Sequence, residues 1–178
     1  GEEKLQGRGV SYCATCDGAF FKGQHVAVVG GGDTAVKEAV YLSRVVDRVT
    51  VIHRRDKLRA EKVMQEKALA TENIDFVWDS VVESIEGEDG VTGVKIRNVK
   101  TDAESLLEVT GVFVFIGILP NTDLFKGLVE LDSAGFVKVD TDMRSSLPRI
   151  FAAGDVRAGS VRHIAPAACD RTPAILNL

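Results

Sequence analysis

The chain has 178 residues, of which 45% are hydrophobic and 27% charged, and a formal net charge of −4. This composition disfavours disorder and fibrous repeats, and no run of residues approaches the ~20 apolar residues of a membrane span. A mildly acidic chain gives no general reason to expect nucleic acid as a partner. Because residues 1–4 also lack the apolar core of a signal peptide, we expect a cytoplasmic protein that binds neither membrane nor nucleic acid.

The first half of the chain predicts a βαβ unit. Residues 24–29 form a short valine-rich run that ends in three glycines, which is typical of a buried parallel strand. Residues 33–42 have the apolar spacing of a helix that packs on a sheet, and residues 48–53 form a second buried strand. A helix over 60–70 and a third strand over 74–78 follow.

After residue 78 the apolar period changes to two. Residues 80–86, 91–98 and 106–110 alternate and are separated by turn residues, which predicts an antiparallel meander. Residues 111–117 predict another buried strand. The rest is rich in loops, with short strands predicted over 136–139 and 150–155. We therefore expect an α/β fold with a parallel sheet and an antiparallel β-meander.

The glycines after the first long strand carry a binding motif. Gly30, Gly32 and Ala35 match the GxGxxA fingerprint between a strand and a helix, which is the context that dinucleotide binding requires. The glycines permit a tight turn and let backbone N–H groups approach a pyrophosphate. Asp33 is placed to cap the helix and to interact with its dipole. A glycine loop kept for packing alone is the alternative, but the strand-helix-strand context favours a dinucleotide.

A basic segment, HRRDKLR, occupies residues 53–59, about 20 residues beyond the glycines. Folds specific for NAD place an acid near this position, on the ribose hydroxyl. Arg54, Arg55 and Arg59 would instead suit a 2′-phosphate, since guanidinium groups bind phosphate oxygens in a fork. A solvated basic loop is the usual interpretation of such a run. Its position at the end of the second strand of an acidic chain favours NADP(H) over NAD(H).

Cys13 and Cys16 form a CxxC motif that Asp17 follows directly. Zinc would need two further ligands, for which the chain offers only three histidines and Cys169. A buried structural pair is a second interpretation. A reversible disulphide that meets a partner through a mixed disulphide is a third and sharper one. Asp17 could then move a proton to or from a leaving thiolate, although an acid in a turn before Gly18 is equally natural.

Five motifs, taken together and in this order, resemble the low-molecular-weight thioredoxin reductases of bacteria and plants. They occupy residues 11–18, 30–35, 53–55, 115–122 and 150–156. The resemblance implies a Rossmann-like, three-layer nucleotide-binding domain of the pyridine nucleotide-disulphide oxidoreductase type. It also implies a homodimeric flavoenzyme that passes electrons from NADPH through FAD to the CxxC pair and on to oxidised thioredoxin.

The resemblance also implies a role for individual residues, and it implies no metal site. Cys16 would face the flavin, Cys13 would attack thioredoxin, and Asp17 would be the general acid. The residues that the resemblance places at the NADPH pyrophosphate are Gly30, Gly32, Asp33, Thr34 and Ala35, and those of the basic segment are His53, Arg54, Arg55 and Arg59. Two further cofactor-binding residues, Ile116 and Gly117, follow the last long strand. The residues implied to bind FAD are Gly154 and Asp155.

The sequence departs from the family's pattern at both ends. Only twelve residues precede Cys13, where the family has most of an FAD-binding half. We therefore expect residues 1–116 to be an NADPH-binding domain with the redox centre, and 117–178 to be the C-terminal segment of an incomplete FAD-binding domain. In the tail, Arg162-His163 replaces the usual Arg-Gln, and residues 167–171, including Cys169, replace a glycine-rich turn. We expect NADPH binding without flavin turnover from this chain alone, and Cys169 to be a small core residue rather than a third redox thiol.

Two alternatives remain at this stage. One is the peroxiredoxin reductase branch, which shares the CxxC motif but uses NADH, and which Arg54 and Arg55 disfavour. The other is a non-catalytic NADPH-binding or redox-sensing module that has lost the FAD half.

Overall fold

The computed structural model describes residues 1–162 and 164–176. The chain forms two compact units, Gly1–Ile116 and Gly117–Leu178. Which cofactor each unit binds stays a prediction. His163, which follows Arg162 where the family usually has Arg-Gln, lies outside the described residues.

The elements follow one another along the chain with the predicted alternation of strands and helices, and some short elements are added to it. The helices and strands are α1 (Glu2–Leu5), β1 (Val10–Ser11), α2 (Ala14–Asp17), β2 (His25–Val29), α3 (Asp33–Leu42), β3 (Arg48–Ile52), α4 (Lys62–Leu69), β4 (Ile74–Val77), β5 (Ser80–Glu86), β6 (Gly93–Asn98), β7 (Glu104–Leu107), β8 (Gly111–Val114) and α5 (Ile164–Leu176). Short 3₁₀ helices cover Gly18–Phe21, Asp123–Phe125 and Gly154–Val156.

The first unit is built on a five-stranded parallel sheet in the order β1-β8-β2-β3-β4. On one face, Val28, Val51 and Phe113 pack with α3, whose buried residues include Ala35 and Ala39. The helix buries this stripe because its apolar residues recur at helical spacing. This face forms one of the two cores of the unit.

The other face of the parallel sheet packs against the antiparallel sheet, in the order β5-β6-β7. Ala27, Ile52 and Val112 of the parallel sheet share a core with Val94 and Ile96 of β6. The predicted three-layer α/β fold is therefore confirmed. The third strand of the meander, β7, begins two residues earlier than predicted and ends at Leu107.

In the second unit, the prediction of strands over 136–139 and 150–155 was wrong. Val137 forms single-residue bridges with Leu131 and Arg157, and Phe151 forms one with Arg144. Neither run extends into a strand because left-handed turns interrupt the backbone nearby, as at Arg149, whose φ is +68°. Across the described part of the chain, the helices are too short or too polar to cross a bilayer.

Candidate functional site

The carboxyl edge of the parallel sheet collects the predicted functional segments. Cys13 follows β1, Gly30 follows β2, His53 follows β3 and Ile116 follows β8. Parallel strands all end at the same edge, and crevices at that edge are where open α/β sheets bind ligands. The order β1-β8-β2-β3 therefore places the CxxC motif, the glycine loop and the basic segment along one side of the first unit. The side chain of Ile116 is 74% exposed there.

Cys13 and Cys16 are joined by a disulphide, with their Cα atoms 5.3 Å apart. Cys13 is the N-cap of α2, and its Sγ accepts a hydrogen bond of 3.2 Å from the backbone N–H of Cys16. The hydroxyl of Thr15 lies 3.4 Å from the same sulphur. Residues 1–162 and 164–176 contain no cluster of three or more metal-ligating acids, histidines and cysteines. Cys169, predicted to be a small core residue, is instead an exposed free thiol.

Asp17 is held by Ser11, a contact that the sequence analysis missed. The buried Ser11 hydroxyl donates to Asp17 Oδ2 at 2.6 Å and accepts from the backbone N–H of Cys13 at 3.1 Å. A hydroxyl bonded to a carboxylate is a charge-assisted hydrogen bond, which is short and strong. Because Ser11 ends β1, this bond fixes the acid and the first cysteine to the edge of the sheet. A six-residue separation gave no periodic signal for it.

The glycine loop is shaped by close contacts at its first two glycines. Gly30 has φ +143°, and a β-carbon there would collide with the carbonyl oxygen of Phe115 and lie 2.9 Å from the Ala35 Cβ. A β-carbon on Gly31 would collide with the imidazole of His53. Gly32, the N-cap of α3, has no atom within 4 Å of such a position, and no side chain caps the helix. The first N–H groups of α3 are thus available to an anion.

Asp33 does not cap its own helix, so this prediction was wrong. Its Oδ1 accepts a hydrogen bond of 2.7 Å from the backbone N–H of Glu61, the N-cap residue of α4. The physical reason is that Gly32 takes the N-cap position of α3, one residue before Asp33. Thr34 is exposed, and Ala35 is buried behind the loop.

The basic segment exposes three arginines. Among the described residues, the guanidinium groups of Arg54, Arg55 and Arg59 form neither ion pairs nor hydrogen bonds. The backbone is nevertheless anchored, because Arg59 N–H donates to the Gly31 carbonyl at 2.7 Å. The segment therefore offers three unpaired cations on a fixed backbone, which suits an anion.

His53 is buried between this segment and the glycine loop. Its Nε2 lies 3.1 Å from the carbonyl oxygen of Lys57, and its ring lies edge-on to Trp78 with the centroids 6.4 Å apart. Burial lowers the pKa of His53, and the positive charges of Arg54 and its neighbours lower it further, whereas the bond to the Lys57 carbonyl opposes this. The ring is therefore neutral near pH 7, and Nε2 carries the proton that it donates to the carbonyl.

Residues 1–170 match the family described as pyridine nucleotide-disulphide oxidoreductase. The chain belongs to this family. It is 53% identical over 172 residues to the thioredoxin reductase of Listeria monocytogenes, which covers 96% of this chain and 54% of that protein. It is 56% identical over 156 residues to the thioredoxin reductase of Streptomyces coelicolor, covering 87% of this chain and 48% of that protein.

The crystal structure of thioredoxin reductase from Streptococcus pyogenes superposes with a TM-score of 0.90 at 49% identity, covering 99% of this chain and 58% of that one. The resemblance to thioredoxin reductases is thus confirmed. The chain spans about half the length of the curated relatives it matches.

The second unit of this family member contains the remaining predicted site residues. Gly154 has φ +78°, and its N–H donates to Asp170 Oδ2 at 2.9 Å. Arg157 binds both oxygens of the buried Asp170 carboxylate, at 2.5 and 2.8 Å, and this guanidinium lowers the pKa of Asp170. Asp155 is exposed. Gly117, with φ +110°, begins this unit. The role of Asp170 was missed because nothing in an alanine-rich stretch indicates a partner 13 residues earlier.

Proposed function

We propose that this chain is the NADPH-binding and dithiol portion of a thioredoxin reductase. In the complete protein, a cytoplasmic homodimer, electrons would pass from NADPH through FAD and the Cys13–Cys16 pair to oxidised thioredoxin. The observation that carries the proposal is the placement of a CxxC disulphide, an uncapped glycine loop and three unpaired arginines at one edge of a parallel sheet. The likeness to named thioredoxin reductases supports the choice of substrate.

The residues at this edge fit a nicotinamide dinucleotide phosphate. A pyrophosphate would be held by the backbone N–H groups beyond Gly32, where the helix N-terminus is open and positively polarised. The 2′-phosphate would be held by Arg54, Arg55 and Arg59, which have no internal partner among the described residues. A β-carbon at Gly30 would collide with the Phe115 carbonyl and one at Gly31 with the His53 ring, which explains why the loop needs glycine at these positions.

Toward FAD, the second unit offers the exposed carboxylate of Asp155, which has no hydrogen-bond partner among the described residues and could accept from a cofactor hydroxyl. The N–H of Gly154 is already bound to Asp170 and holds the turn instead. When bound, the two cofactors would supply the electron pair that reduces the Cys13–Cys16 disulphide.

The chain's own residues then account for the exchange with thioredoxin. The Cys13 thiolate attacks one sulphur of the partner's disulphide, forming a mixed disulphide and releasing the other sulphur as a thiolate. Asp17, when protonated, would protonate that leaving thiolate, and Ser11 would keep its carboxyl group oriented. The Cys16 thiolate next attacks the Cys13 sulphur. This restores the internal disulphide and releases the second partner thiol.

Two contacts favour Cys13 as the attacking group. The Cys16 N–H and the Thr15 hydroxyl both lie within hydrogen-bond reach of Cys13 Sγ. Each would stabilise negative charge on this sulphur when the pair is reduced. The exposure of the two residues in the disulphide form does not add to this preference, because Cys13 is half-buried and Cys16 is exposed.

The test of the whole activity uses the complete, flavin-loaded protein. NADPH oxidation should depend on oxidised thioredoxin and should be lost in Cys16→Ser, whereas Cys169→Ser, the matched control outside the CxxC motif, should keep it. No turnover in the flavin-loaded protein would refute the proposal and favour a non-catalytic redox module. A faster rate with NADH than with NADPH would favour the peroxiredoxin reductase branch.

Binding to the chain alone tests the nucleotide site. Calorimetry, or quenching of Trp78 fluorescence, should show tighter binding of NADPH than of NADH. The double variant Arg54→Ala/Arg55→Ala should remove that preference, since a charge-assisted bond to phosphate contributes about 1.5–3 kcal/mol. Binding of neither nucleotide would refute the site.

A further inference from the structure

The glycine loop and the basic segment lie more than twenty residues apart in sequence, yet two hydrogen bonds join the two regions and a third lies within the basic segment, beside the loop. The Arg59 N–H donates to the Gly31 carbonyl at 2.7 Å. His53, whose ring lies against Gly31, donates to the Lys57 carbonyl at 3.1 Å. The third bond runs from the Glu61 N–H to Asp33 Oδ1 at 2.7 Å. We call these three bonds the loop clamp.

Asp33 is the member of the loop clamp whose presence needs an explanation. It stands in the first turn of α3, beside the N–H groups that would receive a pyrophosphate. A carboxylate at that place would repel an anionic ligand by Coulomb's law. Its oxygen is bound instead to the start of α4, where no side chain of α4 itself caps the helix. Because this bond lies two residues after Arg59, the carboxylate is placed to hold the backbone next to the basic segment.

We propose that Asp33 is a positioning residue for the choice between NADPH and NADH, which rests on the proposed NADPH site. By binding Glu61 N–H, it fixes the chain two residues beyond the basic segment, while Arg59 N–H fixes the last residue of that segment. The arginine side chains then start from a backbone that is ordered before the ligand arrives. Without this bond, the segment would have to be ordered when the 2′-phosphate binds, which weakens affinity.

Loss of positioning and simple electrostatics predict opposite changes in NADPH affinity when Asp33 is replaced by alanine. Asp33→Ala removes a negative charge near the proposed pyrophosphate site, so Coulomb's law alone predicts tighter binding, and more so for NADPH than for NADH because of the extra phosphate. Loss of positioning predicts weaker binding of NADPH and little change for NADH, which has no 2′-phosphate. The two explanations are therefore separated by the direction of one measurement.

The experiment measures the affinity of the 178-residue chain for NADPH and for NADH by calorimetry. We expect Asp33→Ala to weaken NADPH binding by about five- to tenfold, the effect of losing one charge-assisted hydrogen bond at an exposed site, and NADH binding by less than about twofold. Asp33→Asn keeps an oxygen that can accept from Glu61 N–H and should lie between the wild type and Asp33→Ala. Glu72→Ala, which removes an exposed acid of the same unit, is the control for charge and should change neither affinity.

A double-mutant cycle supplies the second readout. In the Arg59→Ala background, Asp33→Ala should cost clearly less NADPH affinity than in the wild type, because the side chain that it positions has gone. Equal costs in the two backgrounds, unchanged or tighter NADPH binding by Asp33→Ala, or weaker binding by Asp33→Asn than by Asp33→Ala would each overturn the proposal. If the wild-type chain binds neither nucleotide, it is the proposed NADPH site that fails. Unchanged NADH affinity in each variant shows that the site is still folded.

Discussion

Replacing Gly31 by alanine is expected to destabilise the first unit through a collision with one side chain. The three atoms nearest to the added β-carbon all belong to the imidazole of His53. Gly31 is not among the glycines with a left-handed φ, so the backbone itself would accept alanine. The prediction therefore isolates the contact between the glycine loop and the histidine that anchors the basic segment.

The magnitude follows from what the imidazole would have to give up. His53 is 6% exposed, so its ring cannot turn freely into solvent. Displacing it would break the bond from Nε2 to the Lys57 carbonyl, which contributes about 1 kcal/mol. Overpacking a filled core costs about 1–3 kcal/mol more. We therefore expect Gly31→Ala to lower the free energy of unfolding by about 2–4 kcal/mol.

Urea unfolding followed by the fluorescence of Trp78, the sole tryptophan, measures this change next to the His53 ring. His53→Ala removes the obstacle, so the double variant Gly31→Ala/His53→Ala should be about as stable as His53→Ala alone. Gly32→Ala is the matched control, with no atom within 4 Å of the new β-carbon, and should cost at most about 1 kcal/mol. If the costs of the two single changes simply add in the double variant, the collision is not the cause.

Three further predictions concern the remaining contacts. Ser11→Ala should slow thiol–disulphide exchange between the reduced chain and a small disulphide by about tenfold, since Asp17 loses its hydrogen bond to Ser11. If Ser11→Ala slows the exchange equally in the Asp17→Asn background, Ser11 does not act by orienting Asp17. The pKa of His53 is lower in the folded protein than in the unfolded chain, so the unfolded chain takes up this proton first as the pH falls. The contribution of His53 to the free energy of unfolding should therefore be constant above the ordinary pKa of about 6.5 and decrease below it. His53→Gln should reduce the difference between the free energies of unfolding measured at pH 7.5 and at pH 5.5. Asp170→Asn should weaken the bond to Arg157 by about 2 kcal/mol, which would speed amide hydrogen exchange in α5 by roughly thirtyfold. Unchanged exchange would show that the ion pair does not stabilise the helix.

The strands and helices of the first unit could be predicted because each has a local cause. Valine-rich runs that end in glycine gave β2 and β8, helical spacing gave α3, and the change to a period of two marked the meander. The dithiol and the glycine loop were predictable for the same reason, because the spacing of their residues within a few positions determines the chemistry. The edge strand β1 was missed because two residues are too short to show a period.

The missed or misplaced contacts join residues at separations that no helix or strand period connects, as with the six residues between Ser11 and Asp17. The partner of Asp33 is 28 residues away, and the sequence offered its own helix as the nearer choice. The apolar run around Val137 looks like a strand locally, but its bridges are to single residues on two different segments. Local patterns determine which residues are buried, whereas the folded chain decides which polar groups meet.

The exposed arginines of the basic segment have a consequence for how this site can change. Its backbone is held through the carbonyl of Lys57 and the N–H of Arg59, while the guanidinium groups of Arg54 and Arg55 form neither a hydrogen bond nor an ion pair among the described residues. Substitutions at these side chains can therefore alter which nucleotide is bound at little cost in stability. The arginine side chains can be exchanged while the backbone that carries them stays anchored, so selection or design can change the cofactor preference without disturbing the sheet.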